Sequence, residues 1–268
     1  MFLFSEFYIY YKMILTNKNQ VNSICRKLKL KDYQINDDLT VDVNHVGHFG
    51  ESVKISKIHI VDGRLPIKFN KVKGGFEANW CGLTTLEGSP KWVGGNFQIV
   101  NNELTTLEHG PEYVGGGLNC RDNNLTTLKY SPKKVGHDFN GYGNGIGDGF
   151  CLHDNYIKDL EDFDCDFAGE FMAARNPIQD LLGNTNTSDI TDYEFVCLFK
   201  RLKVIKSGKL DLKRFKYLMS IYEEKYYGHQ HNDNLKSIIL LSDYEIFENN
   251  LYFKPSIRTP RIKSYFRY

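Results

Sequence analysis

This chain has almost no excess of charge of either sign. Its 34 Lys and Arg stand against 33 Asp and Glu, a formal net charge of +1 over 268 residues. Bulk electrostatics therefore give no reason to place it on nucleic acid or an anionic membrane. Long apolar runs are missing too. A membrane helix needs about 20 apolar residues, and the candidate at the N-terminus is interrupted by Glu6, Lys12, Asn17 and Lys18. That stretch has neither the basic region nor the small-residue cleavage site of a signal peptide. Residues 1–12 read as an extension, with Met13 an alternative start. Tryptophan is scarce, but Tyr and Phe bring the aromatics to 14%, which argues for an ordered protein.

Paired cysteines and catalytic spellings are also missing. Cys25, Cys81, Cys120, Cys151, Cys165 and Cys197 form no Cys-x-x-Cys and no zinc-type spacing with His. They are expected to be buried free thiols in a reducing compartment. Of the eight histidines, His45-x-x-His48 and His229-x-His231 have chelating spacing but no third ligand in sequence. Asp162, Asp164 and Asp166 alternate as carboxylates on one side of an extended segment, which reads as a solvated turn before it reads as a cation site. There is no nucleophile elbow, triad spelling or Walker motif. No catalytic residue, metal or cofactor is expected, and the chain reads as a non-enzyme.

What is present is a repeat. Leu83-Thr-Thr-Leu-Glu-Gly-Ser-Pro90-Lys-Trp-Val93-Gly-Gly returns as Leu104-Thr-Thr-Leu-Glu-His-Gly-Pro111-Glu-Tyr-Val114-Gly-Gly, and a third copy starts at Leu125, so the step is the same each time. A fixed period in this range marks a solenoid, whose units stack along one axis and offer a long face to a partner. Each unit opens on an apolar residue: Phe76, Phe97, Leu118, Phe139, Phe150 and Phe171. Two positions on stand Ala78, Ile99, Cys120, Gly141, Leu152 and Ala173. A spacing of two puts both on one face of a short strand. Five positions after the leader come Cys81, Asn102, Asn123, Asn144, Asn155 and Asn176. Seven after it come Leu83, Leu104, Leu125, Ile146, Ile157 and Ile178, and ten after it Leu86, Leu107, Leu128, Leu160 and Leu181. An Asn amide both donates and accepts, so it can satisfy the backbone at a buried turn and bridge adjacent coils as a ladder. Pro90, Pro111 and Pro132 predict an extended return side rather than a helix, and the Gly pairs 94–95 and 115–116 permit the bend into the next strand.

This pattern, φ-x-φ-x-x-[Asn/Cys]-x-L-x-x-L, resembles the leucine-rich repeat. Its short, Pro-containing units are similar to those of bacterial effector proteins. The wording Leu65-Pro-Ile-Lys-Phe69, Val72-Lys-Gly-Gly-Phe76 and Leu-Thr-Thr-Leu-Glu-Gly-Ser-Pro, with Thr40-Val-Asp-Val43 before it, looks like a group of small tailed-phage proteins. That resemblance implies architecture and a viral origin. Asn44–Ile60 is longer here than the group's usual segment, and the last units are degenerate.

The period breaks between Phe139 and Phe150, which stand only about half a period apart. Asn140-Gly-Tyr-Gly-Asn-Gly-Ile-Gly-Asp-Gly149 lies between them, and so short a stretch cannot close a coil of this width. It reads as a truncated unit or an extruded loop, without the ending of a phosphate loop.

The expected fold class is α+β: a leucine-rich-repeat-like parallel β solenoid with short strands and an extended convex side. An N-terminal extension and cap span 1–61, with a helix at about Asn19–Leu30 burying Val21, Ile24, Cys25 and Leu28, then short strands at Tyr33–Ile35, Thr40–Val43 and Val53–Ile55. The solenoid spans 62–182, with the Gly-rich insertion at 140–149. A basic, mostly helical module spans 183–268, with helices at about 192–204 and 211–226 and a turn at Ser207-Gly-Lys-Leu. That module and the tail are rich in Lys and Arg among aromatics, a composition that can bind single strands.

Residues between the inward columns face outward on the concave strand surface. Recognition is expected there, at Glu77, Asn79, Gln98, Val100, Asn119, Arg121, Asn140, Tyr142, His153 and Met172, with Arg121, Tyr142 and His153 the best anchors by residue type. The expected function is protein–protein interaction in the host cytoplasm, directed at a host or defence protein as phage-encoded modulators act, with no membrane involved. The second reading is a nucleic-acid-associated protein using the basic C-terminal module, and the third a virion component.

Overall fold

The computed structural model describes residues 15–45, 52–136, 149–173 and 175–178, and beyond them 190–191, 196, 199, 201–206, 209–211, 213–215, 217–218, 244–247 and 250–253. The first element is helix α1, Lys18–Lys27. Asn17 caps it by accepting the Gln20 N–H at 3.1 Å. Val21, Ile24 and Cys25 form its buried face, and Leu28 follows them into the core. The helix stops short of the Leu30 end that the apolar spacing predicts, because Lys29 turns left-handed at φ 55. The Leu30 N–H then reaches back to the Cys25 carbonyl at 3.0 Å, and the Lys29 N–H to Arg26.

Strands β1 (Tyr33–Ile35) and β2 (Val41–Val43) follow as an antiparallel pair, then β3 (Ser52–Lys54). From there the chain winds between two sheets. Sheet A takes β2, β4 (Phe69–Val72), β6 (Trp92–Val93), β8 (Tyr113–Val114), β10 (Lys134–Val135) and β12 (Asp166–Phe167), all parallel, with β1 at its edge. Sheet B takes β3, β5 (Gly75–Glu77), β7 (Phe97–Gln98), β9 (Leu118–Asn119), β11 (Gly149–Cys151) and β13 (Glu170–Met172), also parallel, and ends on the antiparallel strand β14 (Ile190–Thr191). The protein is a parallel β-solenoid. Because β2 and β3 already pair with β4 and β5, the first coil begins inside the segment expected to be only a cap.

Inward columns fill the space between the sheets. Phe76, Phe97, Leu118, Phe150 and Phe171 are fully buried, as are Leu83, Leu104, Leu125, Ile157 and Ile178. The return side is extended, as the prolines require, and its Val72, Val93, Val114, Val135 and Phe167 close the core from sheet A. Each coil turns its corner on a left-handed residue, Trp80, Asn101, Asp122, Asp154 or Arg175. The Leu-Thr-Thr-Leu wording makes the next bend. The hydroxyls of Thr85, Thr106 and Thr127 accept the N–H two residues on, at 3.1–3.2 Å, and the Asp159 carboxylate does the same for Glu161.

The ladder is formed. Asn102 accepts the N–H groups of Cys81 and Leu83 from the preceding coil and donates to the carbonyls of Ala78 and Ile99. Asn123, Asn155 and Asn176 repeat the arrangement. Cys81, the one exception in the column, donates its thiol to the Ile55 carbonyl at 3.3 Å.

One unit of the repeat alignment is corrected. Phe150 pairs with Leu118, and Asp166 with Lys134, so β11 follows β9 directly and each of these steps is a full period lengthened by about half. These pairings leave no place between β9 and β11 for the coil expected at Phe139, Gly141, Asn144 and Ile146. Those residues belong to an insertion at 137–148 that lies outside the described residues.

After the solenoid, Val196, Phe199, Phe215 and Leu218 are buried and helical. Asp211, expected inside the second helix, instead ends a strand and accepts the Arg214 N–H at 3.0 Å. The described residues of this part also include a four-stranded antiparallel sheet that the mostly helical expectation omits. It is built from β15 (Ile205–Lys206), β16 (Lys209–Asp211), β17 (Tyr244–Phe247) and β18 (Asn250–Phe253).

Candidate functional site

The outer face of sheet B carries the residues expected to recognise a partner. Parallel register sets them in rows one coil apart: Lys54, Glu77, Gln98, Asn119, Cys151 and Met172 in one row, Asn79, Val100, Arg121 and His153 in the next. The row is not uniformly open. Val100 and Asn119 are each 4% exposed and Cys151 is 5% exposed, so the middle of the strip does not present these side chains to solvent. Glu77, Asn79, Gln98, His153 and Met172 are half-buried, and Arg121 is exposed. Asn140 and Tyr142 belong to the insertion, which removes them from the strand rows and places them outside the described residues.

Part of the strip is committed to holding the coils together. The Asn79 side chain accepts the Val100 N–H at 2.8 Å, and Asn119 accepts the Arg121 N–H at 3.3 Å. Lys54 lies 3.6 Å from Glu77 across the first two coils. At the corner beside the strip, the Arg175 guanidinium forks onto the Asp154 carboxylate, with Nε at 2.8 Å from Oδ1. Such bidentate pairing is stronger than a point contact, and it ties the last two coils together. Arg121 sits 3.6 Å from its own neighbour Asp122, a loose pair that leaves the guanidinium available to a carboxylate of another molecule.

Sheet A offers a different face. Its outward row runs Lys71, Trp92, Tyr113, Lys134 and Asp166. Trp92 and Tyr113 stack with ring centroids 5.4 Å apart and planes 3° from parallel, and the Lys71 ammonium sits 4.5 Å over the indole. These groups already occupy one another's faces. Sequence reasoning did not single out this row, although Trp92 and Tyr113 share one column of the repeat.

Burial disfavours the thiolate at four cysteines. Burial pushes Cys25 and Cys81 up to about 11 and raises Cys120 further, and burial also raises Cys151. The described cysteines form no disulfide, and four of them are buried. Desolvation likewise raises the Asp159 carboxyl beside its turn. Among the described residues no helix is long and apolar enough to cross a membrane.

Comparison with protein-family models, with curated proteins and with solved structures gives no match for this chain.

Proposed function

We propose that this protein is a non-enzymatic scaffold of the leucine-rich-repeat-like kind, encoded by a tailed phage, that holds a host protein against the outer face of sheet B. One contrast carries the reading. The inward columns stay apolar and the ladder column stays Asn after Cys81, whereas the outward row changes chemistry at each coil: Lys54, Glu77, Gln98, Asn119, Cys151, Met172. Packing dictates the first set and leaves the second free for recognition. Sheet A is the weaker candidate because Trp92 and Tyr113 stack on each other.

Accessible recognition is assigned to Glu77, Gln98, Arg121 and Met172, with His153 at the margin. Arg121 is the anchor, since an exposed guanidinium at the middle of the strip suits a carboxylate on the partner. The reading is tested by affinity capture from bacterial lysate with the wild-type chain and with Arg121→Ala/Gln98→Ala. The variant is expected to melt as the wild type does and to lose the captured protein. Undiminished capture rejects this face.

A further inference from the structure

A second surface lies where α1 ends. The last turn of α1, strands β2 and β3, and the 3-10 turn Lys57–His59 surround a cleft of about 510 Å³. That volume falls in the range that encloses small molecules. Lys27, Lys29, Lys31, Lys54, His45 and His59 line it, and among the described residues no Asp or Glu does. The chain as a whole is nearly neutral, so this is a local concentration of one sign.

The carbonyls at the end of α1 have backbone partners. Basic residues often gather at a helix C-terminus to meet its unpaired carbonyls. Here the backbone meets them already, through Leu28 to Ile24, Lys29 to Arg26 and Leu30 to Cys25. Lys29 holds the left-handed position where glycine is the usual choice. The segment Lys27-Leu-Lys-Leu-Lys31 splits cleanly: Leu28 is buried and Leu30 packs on the core, while all three lysines are exposed. Lys54, at the far side, makes only the 3.6 Å contact with Glu77 and keeps 70% of its side chain exposed.

The rest of the lining favours an organic ligand over a bare ion. The Ser56 N–H donates to His59 Nδ1 at 3.1 Å, which leaves Nε2 to carry the ring proton as a donor. The Ser52 and Ser56 hydroxyls add further donors. Ile58, 64% exposed, forms an apolar rim beside them. Ammonium groups gathered from three elements suit a phosphate, which carries up to two charges and several acceptor oxygens.

We infer that this cleft binds a small organic phosphate, its phosphate group held by Lys29 and Lys31 with Lys27 and Lys54 beside them, and its apolar portion against Ile58. The site adjoins the partner face on sheet B at Lys54 but does not depend on that reading.

Titration calorimetry on the full chain at low salt tests it with ADP, inorganic pyrophosphate and adenosine. ADP and pyrophosphate are expected to saturate one site, ADP the more tightly, and adenosine to give no saturable heat. Lys29→Gly removes a charge while suiting the left-handed backbone, so it should melt no lower than the wild type and bind ADP about tenfold more weakly. Lys91→Gln/Lys133→Gln, on the far side of the solenoid, should bind as the wild type does. The inference is overturned if neither phosphate saturates, if Lys29→Gly binds ADP unchanged, or if the distant double variant loses as much. A lysine-dependent interaction with a single-stranded oligonucleotide, without any with ADP, would also overturn it and assign the surface to nucleic acid.

Discussion

Asn123 and Asn155 donate to the same atom. Each side-chain amide lies 3.0 Å from the carbonyl oxygen of Cys120, although the whole insertion separates the two asparagines in sequence. Asn102 and Asn123 share the Ile99 carbonyl in the same way, and Asn155 and Asn176 share Leu152. The ladder therefore crosses the insertion without a missing rung.

Asn123→Ala removes the acceptor for the Leu104 N–H and a donor to two buried carbonyls. Each unsatisfied buried group costs about 1–3 kcal/mol. Urea unfolding should show a loss of at least about 1 kcal/mol, since the buried Leu104 N–H loses its acceptor while the Ile99 and Cys120 carbonyls keep Asn102 and Asn155 as donors. A loss below about 0.5 kcal/mol, the size of a neutral surface substitution, would mean that the rung is not structural.

Replacing residues 137–148 by a single glycine restores the regular step of the repeat between Leu118 and Phe150. A glycine is needed because the matching residue, Gly116, has no room for a Cβ: it would lie 2.2 Å from Asn96 Oδ1. The shortened protein should keep its circular dichroism spectrum and melt within a few degrees of the parent. Failure to fold would show that the insertion is part of the solenoid.

Glycines at two corners should respond differently to alanine. A Cβ at Gly115 would lie 2.3 Å from the Gly94 carbonyl oxygen, backbone that cannot step aside. At Gly82 there is nothing within 4 Å, and only the left-handed φ of 74 opposes a side chain. Gly82→Ala should cost about 1–2 kcal/mol, and Gly115→Ala clearly more, by thermal or urea denaturation.

Alkaline pH should weaken the fold through the buried thiols. Cys25 and Cys81 ionise near 9.0 when exposed and near 11 in the fold. The folded state thus keeps protons that the unfolded chain releases. The stabilisation is complete below pH 9 and is lost as pH rises toward 11, at no more than about 1.4 kcal/mol per pH unit for each thiol. Melting temperature should fall more steeply between pH 9 and 10.5 in the wild type than in Cys25→Ala. At pH 8 a thiol reagent should leave both cysteines unmodified until denaturant is added.

Much of this architecture was legible in the sequence because a solenoid repeats its constraints. Phe97, Leu118 and Phe171 sit where the columns placed them, and Asn102, Asn123, Asn155 and Asn176 make the bonds their position implied. The unit starting at Phe139 misled because Phe139, Asn144 and Ile146 match the template by spacing alone, and only the pairing of Phe150 with Leu118 shows that no coil intervenes. Burial on the strand face was not legible either. Alternation assigns Val100 and Asn119 to the outside correctly, but it cannot report what lies over them. The lysine cleft escaped notice because Lys29, Lys54 and His59 come together from three separate elements. The hairpin of β17 and β18 was missed although its two strands flank only residues 248 and 249, a spacing typical of tight hairpins.

Reversal of chain direction at β1 and at β14 has a consequence for assembly. A stack of like coils has no built-in length, since the last one offers the next molecule the same hydrogen-bonding template that it received. Strand β1 runs against β2 at one end of its sheet, and β14 runs against β13 at the opposite end of the other. A neighbour's coil arriving in the common orientation meets a strand of the wrong polarity in one of the two sheets at each end, which disfavours growth into a fibre.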